Sequence, residues 1–141
     1  MNEAVSLLPA AAKTLAAWHA MIAKGDLGDL ATLMHPDARF RSPFAHKPYD
    51  GAAAVVTILQ TVSGVFRDFA YLREWTSTND AALEFRAVVD AKELKGVDLI
   101  AFDQVGLIRE FEVMVRPATG LQALSARMGP ALQAAFAVAG S

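Results

Sequence analysis

The chain of 141 residues has no cysteine. That excludes disulfides, thiolate metal sites and a cysteine nucleophile, and it fits a cytoplasmic protein. Charge is scarce too. One residue in five is charged, the formal net charge is −2, and the 13 Lys and Arg are scattered, with no basic run. Nothing in that balance attracts nucleic acid, whose phosphates call for a basic surface. No apolar run approaches the roughly 20 residues that span a bilayer. Residues 1–9 are acidic where a signal peptide is basic, and they lack its apolar core. The expectation is a cytoplasmic protein with neither a membrane nor a nucleic-acid partner. The three histidines, His19, His35 and His46, lack metal-ligand spacing, so no metal is expected. No Gly-rich phosphate loop is present, and no cofactor is expected.

What the chain does have is apolar bulk: 54% of its residues are hydrophobic, enough for one folded domain with a sizeable core. Leu15, Trp18 and Ile22 form a stripe on a helix over residues 10–24, which Gly25 stops. Asp26 can cap a second helix carrying Leu27, Leu30, Leu33 and Met34. Residues 38–42 alternate as a short strand, with Phe40 and Ser42 on one face and Arg39 and Arg41 on the other. After a loop, Asp50 is a credible cap for a helix reaching about Phe66, with Val55, Ile58, Leu59 and Val62 on its buried side. Strands are expected over 69–75 and 82–89, with a connection through 92–96. A terminal helix over 120–139 is apolar at Leu121, Leu124, Met128, Leu132 and Phe136, and Gly129-Pro130 breaks or kinks it. Helices gathered early and strands gathered late mean α+β.

Residues 97–117 carry the feature that needs explaining. They read as two strands joined by a turn at Asp103-Gln-Val-Gly106. Asp98 falls in line with Ile100 and Phe102, on a face that is otherwise apolar. Phe111, Val113 and Val115 share a face of the second strand; Glu110, Glu112, Met114 and Arg116 share the other. A buried acid is costly unless something compensates it.

Residues 25–43 (GDLGDLATLMHPDARFRSP), Gly51 opening a helix, and residues 98–108 (DLIAFDQVGLI) together resemble the nuclear transport factor 2-like superfamily, in its SnoaL-like and ketosteroid isomerase-like branches. The resemblance covers about residues 10–117, leaving 118–141 as a C-terminal helical extension of a single domain. It implies a cone-shaped α+β roll of cystatin-like fold, a strongly curved antiparallel sheet wrapped around N-terminal helices with an apolar pocket, often dimeric through the sheet's outer face. Ketosteroid isomerases place a carboxylate base where this chain has Ser42, and a tyrosine donor on the first helix where it has Trp18. Their second, protonated acid falls on Asp98.

The expected reaction machinery is therefore Asp98 as acid or oxyanion donor, with His46, in the loop near the expected mouth, as the other acid-base candidate. Ligand contacts are expected from Trp18, Phe40, Ser42, Phe44, Tyr49, Leu59, Phe85, Phe102, Phe111, Val113 and Val115, and Tyr71 and Trp75 are further cavity-lining aromatics. The partner called for is a small hydrophobic molecule, with a second copy of the chain on the outer face that carries Leu99 and Met114. Without a base at Ser42, the alternative to an acid-base enzyme is a binding domain without turnover. Arg39, Arg41 and Arg116 are expected to pair with Glu110 or Glu112 across the sheet.

Overall fold

The computed structural model describes residues 6–139. Residues 1–5, most of the stretch examined above for a leader, lie outside them. Helix α1 spans Pro9–Lys24. Pro9 suits its first turn, where an N–H has no partner to lose. Gly25 ends it in the left-handed region at φ 68°, its N–H returning to Ile22 O at 3.1 Å.

The expected second helix does not form. Asp26 Oδ1 accepts the Gly28 N–H at 2.9 Å, closing a local turn, and only the single 3₁₀ turn Leu30–Leu33 follows. Strand β1 then takes Met34–Arg41, because Met34 pairs with Ile108 across the sheet. Tertiary pairing outweighs the helical spacing of the leucines here. His35 therefore lies in a strand, its Nδ1 accepting the Asp37 N–H at 2.9 Å. Strand β2 is the dipeptide Tyr49–Asp50. It brings Asp50 to 3.1 Å from Arg39, so Asp50 is an ion-pair partner and Gly51 holds the cap position of α2, Ala52–Val65. Arg41 pairs with Glu110 at 2.9 Å, as its face demands.

Strands β3 (Arg67–Thr76), β4 (Asp80–Val89), β5 (Lys92–Phe102) and β6 (Ile108–Arg116) complete one six-stranded sheet in the order β2-β1-β6-β5-β4-β3. The sheet is curved and unclosed. The α+β class and the cystatin-like architecture hold; one pair, β1 with β6, runs parallel. Residues 92–96 belong to β5 itself. Asp90 and Ala91, both at positive φ, turn the chain in two residues, without the Asn-Gly or Asp-Gly that usually marks such a hairpin. Helix α3, Ala118–Ala139, continues past Gly129 and Pro130. Leu124 and Met128 before the proline and Leu132 and Phe136 after it pack on the same core, which offsets the lost backbone bond.

All three helices pack on one face of the sheet. Leu15 and Trp18 of α1, Ile58 and Leu59 of α2, and Phe40, Phe111 and Ile100 of the strands share one buried cluster. Leu124 and Met128 of α3 join Phe85 and Leu94 in a second. Each fully buried Phe or Leu of this kind is worth about 2–3 kcal/mol of transfer free energy. Gly96 is required where the second cluster meets the sheet: a Cβ there would lie 2.4 Å from the Phe85 ring. The opposite face is open, and Leu72, Trp75 and Met114 stand about half exposed on the surface.

Candidate functional site

Asp98 sits in the middle of β5, opposite Leu83 on β4 and Val113 on β6. Strand alternation turns it toward the helices, and the residue is 6% exposed. Its Oδ2 accepts a hydrogen bond from the Tyr71 hydroxyl at 2.6 Å. Tyr71 Oη in turn accepts from the Trp18 indole N–H at 2.9 Å. The relay Trp18–Tyr71–Asp98 thus joins α1, β3 and β5. Among the described residues Oδ1 of Asp98 has no hydrogen-bond partner. No fully buried polar side-chain atom lacks one either, so Oδ1 keeps an open surface.

That surface opens on a cavity of about 180 Å³. Asp98 is the one carboxyl among the described residues that line it. Burial pushes the Asp98 carboxyl up to about 7, with the Tyr71 hydrogen bond working in the opposite direction. Tyr71 is raised well above its ordinary value, first by burial and then by the charge of Asp98. Near neutral pH Asp98 therefore exchanges between an acid that can donate through Oδ1 and a carboxylate held by Tyr71, which itself stays neutral. Among the described residues no group of three or more His, Asp or Glu could hold a metal ion, and no helix is long and apolar enough to cross a membrane.

The SnoaL-like domain family matches residues 15–111. The chain belongs to that family. This SnoaL-like chain is similar to a steroid delta-isomerase from Pseudomonas aeruginosa of known crystal structure, at 53% identity over 95% of this chain and 99% of that one, with a TM-score of 0.91. A protein with a cystatin-like fold from Silicibacter pomeroyi DSS-3 shares 37% identity over 83% of each chain, with a TM-score of 0.79. An NTF2-like protein of unknown function from Mesorhizobium loti, at 17% identity over 80% of this chain and all of the other, has a TM-score of 0.69 and shows the fold alone. The nuclear transport factor 2-like superfamily is thereby established for the SnoaL-like chain. Functionally curated proteins yield no match.

The structure brings Trp18, Phe40, Ser42, Phe44, Tyr49 and Leu59 to the cavity, together with Asp98, Phe111 and Val113. It does not bring five other expected residues there: His46, Phe85, Phe102, Val115 and Trp75. His46 is exposed in the loop before β2 and does not line the cavity, because that loop carries it outward. Phe85 is buried behind Phe66 and Phe69, whose rings stand 5.6 and 5.2 Å from it and meet the cavity in its place. Phe102 lies at the end of β5, in the cluster with Ala11 and Leu15. Val115 packs with the Leu94–Leu124 cluster, one pleat beyond Val113.

Trp75, read as a lining aromatic, is 51% exposed on the outer face. The register explains it. Tyr71 pairs with Phe85 and Glu74 with Leu83, so β3 advances three residues while β4 advances two. That bulge reverses the alternation, leaving Tyr71 inward and Trp75 outward. Arg73 lies over the Trp75 ring at 5.0 Å and binds Glu84. His19 pairs with Glu74 at 2.7 Å and sets its ring edge-on to Tyr71.

What the sequence reading missed is the role of Tyr71 as partner of Asp98. The two stand 27 positions apart on strands separated by β4, and no spacing rule joins them. The available signal was a tyrosine on the inward alternation of a strand whose next inward polar group, Glu74, meets α1. Leu124, Met128 and Leu132 of α3 complete the wall, and Phe136 stacks on Tyr49 at 6.3 Å.

Proposed function

We propose that this protein binds one small, largely apolar molecule in the cavity, holds an oxygen of that molecule on Asp98, and carries out isomerase-type chemistry beside that oxygen. The relay ending at the open Oδ1 of Asp98 carries the reading. A neutral Asp98 donates to a ketone oxygen, and Tyr71 supports the carboxyl from behind. As a neighbouring C–H bond gives up its proton to a water molecule, the charge that develops on the oxygen is held by that hydrogen bond. The similarity to a steroid delta-isomerase agrees with this class of reaction. In D₂O, the protein is expected to speed hydrogen–deuterium exchange next to the carbonyl of a bound cyclic ketone, and Asp98→Asn to abolish the gain. Exchange at the uncatalysed rate in the presence of a bound ketone contradicts the reaction.

One observation favours binding without turnover as the second reading. Ser42 stands where the related isomerases have a base, and its Oγ already accepts the N–H groups of Phe44 and Ala45 at 3.2 and 3.0 Å. With His46 outside the cavity, the departing proton has only water or Asp98 itself to receive it. A ketone that binds with no exchange gain selects this second reading.

We further propose that the outer face of the sheet receives a second copy of the chain. Trp75 and Met114 offer it apolar surface beside Val97. Sedimentation is expected to give a dimer for the native chain and a monomer for Met114→Lys. A native monomer at micromolar concentration overturns it.

A further inference from the structure

Ser42 has one O–H donor and two acceptor lone pairs. Both lone pairs are taken, by the backbone N–H groups of Phe44 and Ala45. The hydroxyl hydrogen has no acceptor among the described residues, and Ser42 lines the cavity. Ser42 is therefore neither a vacant acceptor nor a base. It is a donor whose hydrogen is left for whatever enters.

Its place in the sheet relates it to Asp98. Phe40 pairs with Phe111 and Arg41 with Glu112 in the parallel β1–β6 register. Ser42 follows that last pair, just beyond the end of β1; carried on by one place, the register sets it level with Val113, which pairs with Asp98 on β5. On that continuation Ser42 and Asp98 flank Val113, and all three line the cavity. Two interstrand spacings separate them, about 10 Å between Cα positions. The reach of the two side chains and their hydrogen bonds reduces that gap to about the width of one six-membered ring. The cavity of about 180 Å³ agrees, since an apolar cavity of ~150 Å³ takes a benzene ring.

We propose that Ser42 donates a hydrogen bond to the ligand, and that the cavity selects a monocyclic molecule with two oxygens across the ring, a carbonyl for Asp98 and an acceptor for Ser42. This rests on the ligand-binding reading above. The probes are 4-methoxycyclohexanone and 4-ethylcyclohexanone, which differ by an ether oxygen in place of a methylene. Trp18 fluorescence reports both dissociation constants. The ratio of the ethyl to the methoxy constant is expected to fall about three- to tenfold in Ser42→Ala, the worth of one hydrogen bond, and to return in Ser42→Thr. Ser42→Asp keeps acceptors for the two turn N–H groups and removes the donor, so it must lower the ratio as alanine does even if alanine loosens the turn. An unchanged ratio in both Ser42→Ala and Ser42→Asp overturns the Ser42 proposal and leaves the cavity reading standing. Failure of both ketones to bind the native protein overturns the cavity reading itself, and the Ser42 proposal with it.

Discussion

Two carboxyls sit one row apart in the same sheet and titrate at opposite extremes. Asp98 on β5 pairs with Leu83 and faces the helices; Glu84, the next residue on β4, pairs with Val97 and faces outward. Their exposures are nearly the same, 6% and 9%. Yet Asp98 rises to about 7 while Glu84 falls to about 2. Burial works upward on both, far more on the deeply set Asp98 carboxyl, where it is the leading cause, and the two also differ in company. Arg73 binds Glu84 with two hydrogen bonds of 2.7 and 2.6 Å, and Lys95 stands 3.1 Å away. Asp98 meets only a neutral hydroxyl. A carboxyl with cations is a structural clasp across three strands, whereas a carboxyl with none, open to a cavity, is poised for proton chemistry near neutral pH. One sheet builds both by using its two faces differently.

The comparison breaks most visibly through stability. A carboxyl whose folded value lies above its unfolded value binds its proton more tightly when folded. Stability from Asp98 is therefore full below about pH 4 and falls as pH rises to about 7, above which the loss is complete. Asp98→Asn removes that penalty while keeping an acceptor for Tyr71. In denaturant titrations the variant is expected to gain on the native protein by up to about 4 kcal/mol between pH 4 and pH 8, three units at 1.36 kcal/mol each. A constant difference across that range contradicts the raised value.

Tyr71→Phe comes next. It leaves the Trp18 N–H without its acceptor and is expected to cost about 1–3 kcal/mol. It also removes the hydrogen bond that pulls Asp98 downward, so the Asp98 titration, followed by carbon-detected nuclear magnetic resonance, moves up from about 7. A downward move sinks the relay.

Arg73→Gln sharpens the other side. Without its principal cation, Glu84 is expected to rise from about 2 toward ordinary carboxylate values in the same kind of titration. Glu84→Gln has the smallest effect. A lowered carboxyl stabilises above its unfolded value and loses that contribution as pH falls toward 2. The variant should match the native protein in acid and trail it slightly at pH 6, because the pair lies at the surface. A variant as stable as the native protein at pH 6, or a gap that does not close in acid, would leave Glu84 with no clasp to make.

Much of the wall was legible in the chain. Asp98 stood out because alternation placed it with Ile100 and Phe102. Trp18, Phe40 and Phe111 followed from the same periodicities, and all three meet in one buried cluster with T-shaped and stacked rings. The leucines at 27, 30 and 33 misled, since a single helical turn and a helix share their spacing. Phe85 and Val115 sit on the inward face and still miss the cavity. A periodicity reports which face a side chain takes, and says nothing of what stands between it and an open space.

The sequence by itself determined the α+β class, the family, the apolar inward face and the acid placed on it. The class, the face and the acid are properties of local period and composition, which survive whatever the distant chain does, and the family followed from the resemblance of residues 25–43 and 98–108. Tertiary structure alone decided that Tyr71 points in and Trp75 out, because one extra residue in a bulge reverses alternation. It alone decided that Asp98 meets a hydroxyl where Glu84 meets two cations. It also decided that Ser42, its lone pairs spent on its own turn, lines the same cavity as Asp98. Each of these depends on register between strands, and register is fixed by the packing of the whole sheet, not by the residues on either side.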